Sequence, residues 1–125
     1  MTEREKAYMH WLYQAVGMGN RGTLKRLEQI GTPEEIYGLA IQGRLEEKLS
    51  GRYRSKAEQI TAYTEVYDVA AEYAKLSAAG ISFVTAGEPE YPKRLAEIPD
   101  TPYALYYAGR LPEEARPTVA IIGAR

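Results

Sequence analysis

The run Thr118-Val119-Ala120-Ile121-Ile122-Gly123-Ala124-Arg125 decides the fold class. Its first five residues are mostly β-branched and do not alternate with polar ones. That is the pattern of a strand buried on both faces of a parallel sheet. The run leads straight into a glycine turn, where a helix is expected to follow. Strand, glycine turn and helix open a mononucleotide-type fold, in which a phosphate sits on the helix N-terminus. A strand of this kind needs neighbours and covering helices, and the residues just before it supply too few. The run is therefore expected to begin an α/β domain that continues past Arg125, which makes this chain the N-terminal part of a longer α/β protein.

Upstream of Thr118 the chain is punctuated by Pro89, Pro92, Pro99 and Pro102, which forbid long regular elements. Ile81 to Thr85 alternates as a strand does, Pro92 to Ile98 can form one or two helical turns, and Tyr103 to Tyr107 reads as a second strand ending at Gly109.

Before Gly80 the period is helical. Thr2 and Glu5 fit a capping box, in which a hydroxyl takes an amide three residues on and the glutamate reaches back. Tyr8, Trp11, Leu12, Ala15 and Val16 then form one apolar stripe. Gly17-Met18-Gly19-Asn20 stops that helix, and Asn20 is expected to cap the next. Leu24, Leu27 and Ile30 line the second helix, with Gly31 at its C-terminal end. Thr32-Pro33-Glu34-Glu35 is a second capping box, with proline where its missing amide costs nothing. Ile36, Leu39 and Ala40 share one side of the helix it starts. A short turn spans Leu45 to Leu49. Ser55 and Glu58 suggest a third capping box, opening one long helix to about Ala79 with a wide apolar face. The fold class expected is thus α+β: a helical bundle over residues 1–79, then the first strands of a Rossmann-like α/β domain over residues 80–125.

Composition excludes several function classes. Lys and Arg number 16 against 17 Asp and Glu, so no general basic coat would hold nucleic acid or membrane by charge alone. Cysteine is absent and histidine occurs once, which removes thiol chemistry and zinc centres built on thiolate or histidine. No metal or cofactor is expected. No apolar run is long enough to span a bilayer, and the start MTEREK lacks a signal peptide's apolar core. A soluble cytoplasmic protein is expected.

Gly80-Ile81-Ser82-Phe83-Val84-Thr85, Tyr91-Pro92-Lys93-Arg94-Leu95, Pro102 to Tyr106 with Gly109, and Val119 to Arg125 occur in a definite order. This ordered set resembles the DNA processing protein A (DprA/Smf) family, whose pattern is a strand, a YP-x-x-L turn, a second proline-led strand and a strand-plus-loop ending in G-[SA]-R. The helical part is similar to the sterile-alpha-motif or helix-hairpin-helix-like domain that precedes the Rossmann fold there. The resemblance implies a non-enzymatic protein that binds single-stranded DNA and loads the RecA recombinase in natural transformation, working as a homodimer. It also implies that Gly123, Ala124 and Arg125 form a DNA phosphate loop. Glycine permits close backbone approach and arginine offers a bidentate contact. Ala124 lacks the hydroxyl donor that a serine would bring.

The residues also carry plainer readings. Gly-Ala-Arg can simply end a strand. Gly17 and Gly19 with Arg21, Lys25 and Arg26 fit a hairpin turn whose amides hold a DNA phosphate, but they fit better, taken alone, an interhelical turn beside a solvated basic face. Arg44, Lys48, Arg52, Arg54 and Lys56 alternate with glutamates and read as a solvated face. The 11 tyrosines read as core residues with their hydroxyls reaching water. His10, off the main stripe, reads as a surface residue. Two other functions stay open: a nucleotide-binding Rossmann-like enzyme of the phosphoribohydrolase type, and a helical protein-interaction module without DNA binding.

Overall fold

The computed structural model describes residues 1–17, 19–113 and 117, and the strand and loop expected over residues 118–125 lie outside them. It divides into two compact units, Met1–Gly80 and Ile81–Arg125. The class is mixed α+β, as the periodicities led one to expect: helices first, then a two-stranded sheet.

In the first unit, α1 (Glu3–Val16) is the central helix. Both hydrogen bonds of its capping box form, Glu5 N–H to Thr2 Oγ1 at 3.1 Å and Thr2 N–H to Glu5 Oε1 at 3.3 Å. Next come α2 (Arg21–Ile30), α3 (Pro33–Ile41), and the single turn α4 (Leu45–Lys48). The α3 box closes in the same way between Thr32 and Glu35. A 3-10 turn, Gly51–Tyr53, leads into α5 (Arg54–Glu65), and α6 (Val69–Ala78) completes the unit. Helix α1 touches α3, α5 and α6, and α3 and α4 pack on α5. Trp11, Leu24, Leu27, Ile36, Leu45, Leu49 and Ile60 are fully enclosed between them. Each such side chain contributes roughly 1.5–3 kcal/mol through burial of apolar surface.

Four expectations are corrected. The long helix to Ala79 is two helices, broken at Val66-Tyr67-Asp68. Asp68 competes with helical continuation by capping α6, its carboxylate accepting Ala71 N–H at 3.0 Å. The Thr64 hydroxyl donates to Ile60 C=O, which loosens the last turn of α5. As a result the wide apolar face does not exist. Ala70 and Ala74 are exposed, and no residue of α6 is fully buried. Second, Ser55 caps nothing: the 3-10 turn has already set the helical path, so Tyr53 occupies the cap position without a side-chain bond. Third, Asn20 stands at the N-cap of α2 but its side chain makes no cap bond there. Fourth, His10 is buried at 4% exposure rather than on the surface.

Gly31 has a use other than the one its place suggests. Its φ of 167° is extended backbone that any residue adopts. What glycine supplies is room: a Cβ there would stand 3.2 Å from Glu35 Oε1 and 3.3 Å from Glu35 Cβ.

In the second unit, β1 (Ile81–Thr85) pairs antiparallel with β2 (Ala104–Ala108), from Ile81 opposite Ala108 to Thr85 opposite Ala104. The ring pair Phe83 and Tyr106, tilted by 40° with 4.9 Å between centroids, sits at the middle of the register. Between the strands lies the single turn α7 (Lys93–Ala96). The buried Tyr91 donates its hydroxyl to Pro102 C=O at 2.8 Å, and the Thr101 hydroxyl meets Ile98 C=O at 2.6 Å. The Tyr-Pro turn and the second proline-led segment, separate motifs in the sequence, are thus tied to each other. Desolvation of the Tyr91 hydroxyl raises its pKa above the ordinary tyrosine value.

Candidate nucleic-acid interface

Of the residues expected to meet DNA, Gly123, Ala124 and Arg125 lie outside the described residues, as does Met18. The structure places Gly17 and Gly19 in the turn between α1 and α2, and Arg21 and Lys25 on the first turns of α2.

Helix α1 ends because Gly17 turns to φ +89°, a region that L side chains seldom enter. Its N–H closes the last turn on Tyr13 C=O at 2.8 Å, and Asn20 N–H returns to Gly17 C=O at 3.1 Å. Asn20 then spends its side chain on the helix it leaves, donating Nδ2–H to Val16 C=O. This explains why its side chain makes no cap bond on α2. The first turn of α2 consequently has neither a side-chain cap nor an acidic residue, whereas α1 and α3 have both. A helix start in that condition presents amides and a partial positive charge.

Arg21 is half-buried beside this turn, and Lys25 follows one helical turn on, exposed. Arg26 is exposed and donates to Gln29 Oε1 at 3.0 Å. Gly19 is exposed, with open space around its Cα. The four hairpin residues therefore share one end of the helical unit.

The structure adds two residues that the sequence reading assigned elsewhere. Tyr53 Oη stands 3.7 Å from where a Cβ on Gly22 would be, which brings the 3-10 turn to the start of α2. The Arg52 guanidinium lies 5.2 Å from the Tyr53 ring centroid. An aromatic ring and a second arginine thus adjoin the hairpin. Gly22 and Tyr53 are too far apart in the chain to leave a spacing signal for this. Arg44 and Arg54 of the second basic cluster behave as a solvated face: Arg44 pairs with Glu47 at 3.1 Å, and Arg54 with Glu58 and Glu46 at 3.7 and 3.8 Å.

His10, buried on α1, has its pKa lowered by desolvation, against a smaller opposing pull from Glu72. Its ring lies 6.1 Å from that of Tyr73. Among the described residues no group of three or more His, Cys, Asp or Glu is placed to hold a metal ion, and no helix is long and apolar enough to cross a membrane.

Residues 82–125 match the family described as DNA recombination-mediator protein A. The match bears out the resemblance carried by the motifs of that segment. No curated protein and no solved structure matches the chain.

Proposed function

We propose that the chain is the N-terminal part of a recombination mediator of the DNA processing protein A type, which binds single-stranded DNA and assists loading of RecA in natural transformation. It acts in the cytoplasm, without enzymatic activity, as part of a homodimer. The observation that carries this reading is the family match over residues 82–125, a segment whose sequence holds the Tyr91-Pro92 turn, the Pro102-led strand and Gly123-Ala124-Arg125 in that order. Gly123, Ala124 and Arg125 form the principal phosphate loop. The hairpin of Gly17, Gly19, Arg21 and Lys25 is a weaker second contact. It is supported by an uncapped α2 start and by cations on the same end of the unit.

Fluorescence anisotropy of a labelled oligothymidine, at low and at moderate salt and with duplex as control, tests the proposal. Binding that prefers the single strand and falls as salt rises is expected. Replacing both Arg21 and Lys25 by alanine should then flatten the salt dependence, and Arg125→Ala should weaken binding at every salt concentration. Equal affinity for duplex, or binding that neither change weakens, would overturn it.

A further inference from the structure

We propose that the groove between the starts of α1 and α3 is a docking site for a cationic peptide segment of a partner protein, one with an apolar side chain to anchor it. The proposal is independent of the DNA-binding reading.

The groove encloses about 560 Å³ in the helical unit. That volume is ample for one or two large side chains. Met1, Tyr8, Met9 and Pro33 supply its apolar lining. Methionine surfaces adapt to varied apolar partners because the side chain is flexible and polarisable. Around this lining stand three carboxylates, Glu5, Glu34 and Glu35.

The capping chemistry is the reason these charges converge. Glu5 and Glu35 each occupy the third position of a capping box, and each bonds back to its own threonine amide. Packing α1 against α3 brings the two boxes to one groove. The bonds hold the carboxylates in place, so a partner does not have to order them. Backbone and side-chain bonds to Thr32 keep the Glu35 pKa below the ordinary carboxylate value. Across the groove, Arg4 Nη2 pairs with Glu34 Oε2 at 2.9 Å, while its guanidinium lies 5.6 Å from the Tyr8 ring centroid. Arg4 occupies both oxygens of Glu34, so one cation is already held by this surface, and Glu5 and Glu35 are the carboxylates left to meet a second one. Helix α1 therefore has an acidic, apolar groove at its start and the basic hairpin at its end, roughly 20 Å away at 1.5 Å per residue.

The test uses the full chain and a lysine-leucine peptide with helical spacing, with its glutamate-for-lysine counterpart as control. Binding is followed by NMR of the Met9 methyl group. Saturable shifts with the lysine peptide alone are expected. The double variant Glu5→Gln with Glu35→Gln is informative because glutamine still serves a capping box while the charges are gone. It should weaken binding about tenfold, and Met9→Ser should weaken it as well. The variant Glu46→Gln with Glu47→Gln, an acidic pair elsewhere in the unit, should leave affinity unchanged. The proposal fails if both peptides bind alike, if Met9 does not respond, or if the capping-box variant binds as the parent does. Self-association through the groove in place of peptide binding would also overturn it.

Discussion

Trp11 Nε1–H donates to Thr64 Oγ1 at 3.2 Å inside the helical unit, and that same hydroxyl donates onward to Ile60 C=O at 2.6 Å. Trp11 is fully buried and Thr64 nearly so. An indole can donate only once, so Thr64 is what allows the central helix to place tryptophan at the core. One hydroxyl therefore fastens α1 to α5 and relaxes the end of α5.

Thr64→Val removes the acceptor and keeps the shape. The buried indole N–H is then unsatisfied, and stability should fall by about 1–3 kcal/mol. Thr64→Ser should lose much less. Urea unfolding followed by fluorescence checks this directly, since Trp11 is the single tryptophan. Equal losses for valine and serine would show that the methyl packing, not the hydrogen bond, is what matters.

Gly31 and Gly38 should respond in opposite ways to alanine. At Gly31 a Cβ would press on Glu35 at 3.2 to 3.3 Å and disturb the α3 capping box, for a loss of about 1 kcal/mol. At Gly38, within α3, a Cβ would meet nothing within 4 Å, so helix propensity should add about 0.5–1 kcal/mol. Thermal unfolding of the two variants distinguishes them by sign. A stabilised Gly31→Ala would mean that Glu35 moves aside freely.

Local signals accounted for much of the fold. Both capping boxes, the Gly17 stop, the two strands and the Tyr-Pro turn are written in contiguous residues, and the structure shows each of them. The errors share a cause. Periodicity continues smoothly from Ile60 to Leu76, but the break at Val66 to Asp68 depends on Asp68 preferring to cap. With that break α6 turns back onto α1 and covers His10; along one straight helix it could not. The buried histidine was thus invisible for the same reason as the break. The junction of Tyr53 with Gly22 depends on tertiary packing, which has no spacing signature. The Gly-Ala-Arg loop was legible as a motif only, because it lies outside the described residues.

Asp68→Ala removes the only side-chain cap that α6 has, at a cost of about 1 kcal/mol. No residue of α6 is fully buried, and its docking to α1 includes the Tyr73 Oη–H bond to Glu3 Oε2 at 2.9 Å. The loss should therefore fall on α6 alone. Amide exchange in residues 70–78 should accelerate while that in α5 stays unchanged. Equal acceleration in both helices would show that they unfold as one unit.

Covering His10 gives the helical unit a pH dependence of predictable sign. Burial holds the imidazole pKa below its ordinary value of 6.5, with Glu72 opposing only in part. The unfolded chain therefore takes up a proton at a higher pH than the folded chain does. Stability from the neutral imidazole is present above 6.5 and declines as pH falls from there through the lower folded value. The carboxylates of Glu34 and Glu35, lowered from 4.5 by Arg4 and by the Thr32 bonds respectively, act in the same direction but at more acid pH. The two windows can be separated. Urea midpoints measured between about pH 7 and about pH 5.5 should decline in the parent and stay nearly flat in His10→Gln. The further decline below about pH 4.5 should persist in both. A parent curve that is already flat in the upper window would mean that the ring accepts its proton in place, with α6 yielding to admit water.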